Sequence, residues 1–372
     1  MSAVKIGFYG HVRQYHNLKA EIDQAIHDVL ESGSYVLGPK LGQFEKELAV
    51  YCQSKESVGV NSGTDALWLA LIAWGIGAGD EVITTSNTFF ATAEAIWLAG
   101  ATPVFVDIDP ATCNIDTRLV EAAISPRTKA IIPVHLYGQC AKMRDIAKIA
   151  KAHNLRVLED NAQALGARGD DFAIGELSDA VATSFIIQKN LGCFGDGGAL
   201  VTNDPELAAM IRKLRNHGSL KRSFHSVGYN SRLDEIHAAV LSVKLKALDK
   251  WNDQRRAIAR LYDEGLKGTS LKLPTALPGY RHIYHLYIVE TPRRDQLQAY
   301  LQERGITALT HYPIAIHQQE GYPWGHKARI SGSLAHSEKS AAQVLSLPMF
   351  PELTHEEAQI TIEAIRAWDK LQ

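Results

Sequence analysis

Apolar positions along the chain follow two different periods. Leu18, Ile22, Ile26 and Leu30 recur every four residues and define one face of a helix that Gly33 ends. After a loop at 34–39, Pro39 opens a second helix whose apolar face is Leu41, Phe44, Leu48 and Tyr51. Short apolar runs rich in β-branched residues then predict strands at 58–60, 81–85, 103–106, 130–135, 155–158, 181–185 and 199–202. Helical patterns lie between most of them, at 65–74, up to 98, at 144–153 and near 205–216. This alternation predicts an α/β fold with a mostly parallel sheet covered on both faces. A long helical stretch runs from about 232 past 261. Beyond it the pattern predicts a strand at 284–289, a helix from about 294 with Leu297 and Leu301 on one face and a stop at Gly305, and a strand at 306–309. The last helix opens with Thr354 as cap and Glu357 three residues on, and buries Ile360, Ile365 and Trp368. The expected division is a large domain over 1–250, including the N-terminal helical segment, and a small C-terminal α/β domain over 251–372.

Composition narrows the classes. A chain of 372 residues is long enough for one large and one smaller domain. Lys+Arg 39 against Asp+Glu 41 gives a formal net charge of -2, so no surplus of charge favours a nucleic acid or an anionic membrane as partner. Cys52, Cys113, Cys140 and Cys193 form no C-x-x-C pair, which speaks against a zinc site or a disulfide framework and fits a reducing compartment. No H-E-x-x-H or paired-ligand spacing occurs among the histidines, so no metal is expected. The start of the chain lacks an apolar signal region and no run reaches the length of a membrane span. The expectation is a cytoplasmic protein.

Chemistry enters where strands end. In mostly parallel sheets ligands bind at the carboxyl ends of strands. Asn61–Thr64, Asn87–Phe89, His135–Tyr137 and Asp160–Gln163 all fall there. The stretch Asn61-Ser62-Gly63-Thr64 joins a strand to a helix, an arrangement that offers free N–H groups and the positive end of the helix dipole to a phosphate; a plain N-cap by Thr64 is the simpler alternative. Lys189 stands in a turn with Gly192, Gly195, Gly197 and Gly198 between two strands. A lysine amine condenses with carbonyls to form a Schiff base; a solvated hairpin lysine is the bland alternative. Together these features suit pyridoxal 5'-phosphate (PLP), with Gly63, Thr64 and Ser184 for its phosphate and Phe89 stacking on its ring. Asp160 would pair with the ring nitrogen, Gln163 with the ring hydroxyl and Lys189 with the aldehyde.

The segments S-Y-V-L-G-P (34–39), N-S-G-T-D-A-L (61–67), N-T-F-F-A-T-A (87–93), P-V-H-L-Y-G (133–138), E-D-N-A-Q-A-L-G-A (159–167), S-F-I-I-Q-K-N-L-G-C-F-G-D-G-G-A (184–199), G-Y-N-S-R-L-D-E-I-H-A-A-V-L (228–241) and H-Y-P-I-A-I-H (311–317) span nearly the whole chain. In this order they resemble the DegT/DnrJ/StrS family of nucleotide-sugar aminotransferases. The resemblance implies the type I aminotransferase fold, with a large PLP-binding domain and a smaller C-terminal domain. It implies Lys189 as the Schiff-base lysine, Asp160 at the ring nitrogen, and Gln163, Ser184, Gly63, Thr64 and Phe89 in the cofactor shell. Asn230, in G-x-N-x-R, resembles the asparagine that reaches the phosphate from the other subunit, which implies a homodimer with a shared active site.

The implied activity is transfer of an amino group from L-glutamate to a nucleotide-linked keto-sugar. K-N-L-G followed by G-D-G-G resembles members acting on 3-keto sugars, and favours a dTDP-linked 3-keto-6-deoxyhexose. The alternatives are a UDP-3-keto-uronate, a 4-keto sugar, a cyclitol ketone such as an inosose, or a PLP-binding regulator without turnover. Ile186-Ile187-Gln188 departs from the aromatic or histidine that many members carry, and His237 stands where glutamine is common. Tyr35 and Tyr137 are candidates for the substrate pocket or for packing. His135 and His311 are each candidates for a substrate contact or a satisfied structural histidine.

Overall fold

The computed structural model describes residues 5–220, 224–320 and 328–371. The strands are β1 (Glu56–Val60), β2 (Glu81–Thr85), β3 (Thr102–Val106), β4 (Thr128–Ile131), β5 (Arg156–Asp160), β6 (Ala180–Ser184), β7 (Gly198–Thr202), β8 (Tyr287–Glu290), β9 (Arg329–Ile330) and β10 (Val344–Leu347). Eight of them form one sheet in the order β1-β7-β6-β5-β4-β2-β3-β9. Every pair from β6 to β9 is parallel, and β7 alone runs against both of its neighbours. Burial on both faces explains why such a strand reads as a continuous apolar run: in β3 the four residues from Pro103 to Val106 are all buried. Helices Gly63–Ala73 and Ala91–Leu98 pack on one face with Val58, Leu158 and Leu200; Ile83, Ile131 and Val157 pack on the other against helix Met143–His153.

A second core gathers Ile258, Tyr262, Tyr287, Leu297, Leu301, Leu345, Ile362, Ile365 and Trp368. Ile6, near the start of the chain, belongs to it and bridges Ile306. The final helix, His355–Asp369, has the capping box that the sequence predicts, with Thr354 and Glu357 bonding each other's backbone.

Four expectations change. The long helix is two, Glu235–Leu245 and Leu248–Gly265, divided by a tight turn in which the Ala247 N–H bonds the Lys244 carbonyl at 3.0 Å. The first of these helices is buried nearly all round and the second along one stripe, so the chain must turn to move between the two settings. The ladder of β4 stops at Ile131, because Pro133 has no N–H to give; only Val134 rejoins β5, through a bridge to Asp160. The stretch 306–309 makes isolated bridges, from Ile306 to Ile6 and from Leu309 to Ser346, and no ladder. In helix Lys19–Ser32 the buried residues are Ile22 and Val29, and Leu30 faces outward.

Candidate active site

A cavity of about 420 Å³ opens at the carboxyl ends of β5 and β6. Gly63, Thr64, Phe89, Asp160, Gln163, Ser184, Lys189 and His311 line it, eight of the sequence-predicted residues. The helix N-terminus beside them is capped by Ser62, whose hydroxyl accepts the Asp65 N–H at 3.0 Å. Thr64 is therefore not the cap, and it faces the cavity instead. Two glycines explain how this terminus meets the hairpin of β6 and β7. A Cβ on Gly63 would lie 2.7 Å from Ser184 Cβ, and one on Gly198 would lie 2.3 Å from the Ser62 carbonyl carbon. Only residues without a side chain permit that approach.

The turn carrying Lys189 is tied to itself by backbone bonds. The Lys189 N–H donates to the Ile186 carbonyl at 2.9 Å, and the Cys193 N–H to the Phe185 carbonyl at 2.8 Å. Buried Lys244 donates to the Gly192 carbonyl at 2.7 Å and fixes the turn from behind. Lys189 itself is half-buried. Burial lowers its pKa to about 8, against the pull of the Asp160 charge, so the free amine is accessible near neutral pH.

Asp160 ends β5 and is buried. Thr92 Oγ1 donates to its Oδ2 at 2.8 Å, and the Ala162 N–H to its Oδ1 at 3.1 Å. Burial raises its pKa, while those two donors and Lys189 act in the opposite direction. Gln163 is locked from both ends: its Oε1 accepts the Tyr137 N–H at 2.8 Å and its Nε2 donates to the Tyr312 hydroxyl at 3.0 Å. Phe89 is 53% exposed and lies 5.6 Å from the Tyr312 ring, so it forms a wall of the cavity and is no core aromatic. His311 bonds Ser346 Oγ through Nδ1 at 2.9 Å, and burial, with the charge of Lys189, lowers its pKa to about 4.

The donor set fits PLP. An open helix N-terminus between glycines can take a phosphate, a buried carboxylate can take a pyridinium N–H, and an amine of depressed pKa can take an aldehyde.

Four candidates lie elsewhere. His135 is fully buried: its Nδ1 accepts the Ala141 N–H at 3.1 Å, so its Nε2 carries the proton and donates to Glu159 Oε2 at 2.6 Å. Both ring nitrogens are used inside the fold. Tyr137 is buried and donates its hydroxyl to the His311 carbonyl at 2.6 Å, which steadies the wall of the cavity from outside it. Tyr35 is half exposed and bonds the Leu30 carbonyl at 3.1 Å. Asn230 is exposed, outside the cavity of its own chain. Residues 221–223 of the loop before it lie outside the described residues.

Tyr9, Thr92, His285 and Tyr312 belong to the site and were not singled out from the sequence. Ile186 and Gln188, the departures beside the lysine, both line the cavity. Among the described residues no group of three or more His, Cys, Asp or Glu is placed to hold a metal, and no helix is long and apolar enough to cross a membrane.

The model of the DegT/DnrJ/EryC1/StrS aminotransferase family matches residues 16–366. The dTDP-3-amino-3,4,6-trideoxy-alpha-D-glucose transaminase of Streptomyces venezuelae is 49% identical over 95% of this chain and 93% of that protein. A protein of Geobacillus stearothermophilus named a pleiotropic regulatory protein is also 49% identical, over 95% of both chains. Among solved structures, S. venezuelae DesV in complex with a ketimine intermediate superposes with a TM-score of 0.95 at 48% identity, covering 98% of this chain and 99% of that one.

Proposed function

The chain belongs to the DegT/DnrJ/EryC1/StrS aminotransferase family, and on that premise we propose that it transfers an amino group from L-glutamate to a nucleotide-linked keto-sugar, a dTDP-3-keto-6-deoxyhexose. The observation that carries this reading is the gathering of Lys189, Asp160 and an open helix N-terminus in one cavity. The family is PLP-dependent. In this chain Gly63, Thr64 and Ser184 would hold the phosphate, Asp160 the ring nitrogen, Gln163 the ring hydroxyl, Phe89 a ring face and Lys189 the aldehyde. When bound, PLP supplies an electron sink for the amino donor. The chain's own part is to hold charge and move a proton. Thr92 and the Ala162 N–H bond both Asp160 oxygens and favour the carboxylate against the penalty of burial. Burial lowers the Lys189 pKa to about 8 in the cofactor-free chain, a setting that favours the free amine; when not bound to the aldehyde, Lys189 Nζ takes the proton that leaves the donor Cα and returns one to the product.

Amination at C3 is supported by likeness to the S. venezuelae transaminase. The cavity adds a second argument. Among the described residues lining it, Lys189 is the single lysine or arginine, so those residues offer no further cation to a uronate carboxylate. A neutral sugar suits it better than a UDP-3-keto-uronate.

The reading extends to a homodimer in which Asn230 of one subunit serves the phosphate of the other. Asn230 is exposed outside its own cavity, and Leu220, Phe224 and Val227 of the same loop expose apolar side chains. The second core, from Ile258 to Trp368, supports a domain division near residue 250, which Ile6 crosses by joining that core and β9 crosses by joining the large sheet.

The test is the first half of the reaction. PLP-loaded protein given L-glutamate should release 2-oxoglutarate and acquire a pyridoxamine spectrum, and Lys189→Ala should do neither. The regulatory name of one relative raises the non-catalytic reading, which requires PLP binding without 2-oxoglutarate.

A further inference from the structure

Three buried side chains form a relay whose proton positions can be worked out from one end. Asn252, on helix Leu248–Gly265, donates from Nδ2 to the Leu165 carbonyl at 3.1 Å. A carbonyl only accepts, so the amide of Asn252 cannot be turned over, and its Oδ1 is the acceptor for Asn190 Nδ2 at 2.7 Å. Asn190 Oδ1 then faces His285 Nδ1 at 3.0 Å. An amide oxygen also only accepts, so Nδ1 of His285 must carry the proton. With Nδ1 turned to Asn190, the ring edge of His285 left for the cavity carries Nε2, with its lone pair. Burial first, and then the charges of Lys189, Arg255 and His311, disfavour the imidazolium, so the ring is neutral. Asn190, Asn252 and His285 are all buried, and neither asparagine lines the cavity.

We propose that His285 is a fixed hydrogen-bond acceptor in the active cavity, its tautomer set from outside by Asn190 and Asn252, and that the donor it takes is a hydroxyl of the keto-sugar. The inference rests on the aminotransferase reading for the identity of that donor. A neutral nitrogen lone pair accepts an O–H and repels a carboxylate oxygen, so the residue selects for a hydroxylated ring at this point. Asn190 and Asn252 are positioning residues that act through His285.

The tautomer is read directly by long-range ¹H–¹⁵N correlation on the full chain labelled with ¹⁵N-histidine, with the His285 signals identified by their loss in His285→Phe. The expected pattern is a protonated Nδ1 and an unprotonated Nε2. Asn252→Leu frees the Asn190 amide to turn over, so the single-tautomer pattern should give way to a mixture or to the opposite tautomer. In turnover, His285→Phe should lower kcat/KM for the keto-sugar about tenfold, the scale of one hydrogen bond. His285→Gln, which returns an acceptor, should recover most of it. A protonated Nε2 in the unaltered protein overturns the inference, and that measurement needs no variant beyond the assignment. So does an unchanged tautomer in folded Asn252→Leu, or full activity in His285→Phe. If no keto-sugar is aminated at all, the functional reading falls, while the spectrum still decides the tautomer.

Discussion

Replacing Asp160 by asparagine removes a charge and little else. Asn Oδ1 can accept the Ala162 N–H, and Asn Nδ2 can donate to the Thr92 hydroxyl, so both existing contacts have a counterpart. The effect then falls on Lys189. Burial lowers its pKa to about 8 and the Asp160 charge holds it up. Without that charge only the lowering influence remains, so the pKa must fall further. A contact pair at an effective dielectric of ~20 interacts by ~4 kcal/mol. Lys189 and Asp160 share the cavity without a direct bond between them, so a value of ~1–2 kcal/mol is the appropriate scale. At ~1.4 kcal/mol per unit, the Lys189 pKa should drop by about one, to about 7. The assay is trace labelling of the cofactor-free protein with acetic anhydride across pH, with mass spectrometry of the Lys189 peptide reporting the free-amine fraction. An inflection near 8 that shifts downward in Asp160→Asn is expected. An inflection at the ordinary lysine value in the unaltered protein, or one that stays or rises in the variant, rules out an amine depressed by burial and held up by Asp160.

Gly63→Ala places a Cβ 2.7 Å from Ser184 Cβ; it should cost about 1–3 kcal/mol in a denaturant titration and weaken PLP retention after gel filtration. His135→Phe leaves Glu159 Oε2 buried without its histidine donor; a loss of about 1–3 kcal/mol in stability is expected, whereas a pure substrate contact would change KM and spare stability. Mixing inactive Lys189→Ala with an inactive Asn230→Ala variant should restore activity after subunit exchange, because one of the two sites in the heterodimer is intact; no recovery would count against a site shared between subunits.

Much of the site was legible because its chemistry is local. A strand, a turn of small residues and a helix start place Gly63 and Thr64, and a glycine-rich hairpin places Lys189, without knowledge of distant contacts. Asp160 was legible as the last residue of an apolar strand. What escaped arrives through tertiary packing. Thr92 reaches Asp160 from helix Ala91–Leu98, and Tyr9 comes from the N-terminal segment, where no motif marks it. His135 sits at a strand end like the residues that line the cavity and could not be told from them by position. A signal was nevertheless present. Neighbours on a strand point to opposite faces, so if Asp160 faces the cavity, Glu159 faces away from it. His135 is paired with that turned-away carboxylate. The break between Leu245 and Leu248 had no sequence marker, since neither glycine nor proline occurs between 232 and 261. It answers a change in what surrounds the helix, which local propensity does not encode.

Amino transfer to C3 is tested by following the nitrogen. PLP-loaded protein is incubated with L-[¹⁵N]glutamate and, in parallel, with the dTDP-linked 3-keto and 4-keto forms of 6-deoxyglucose, and the products are examined by NMR. The expected result is ¹⁵N bonded to C3 of the sugar, a higher kcat/KM for the 3-keto substrate, and no transfer by Lys189→Ala. Nitrogen at C4 with preference for the 4-keto sugar would contradict the assigned position, and absence of ¹⁵N from every sugar product would contradict the amino transfer itself.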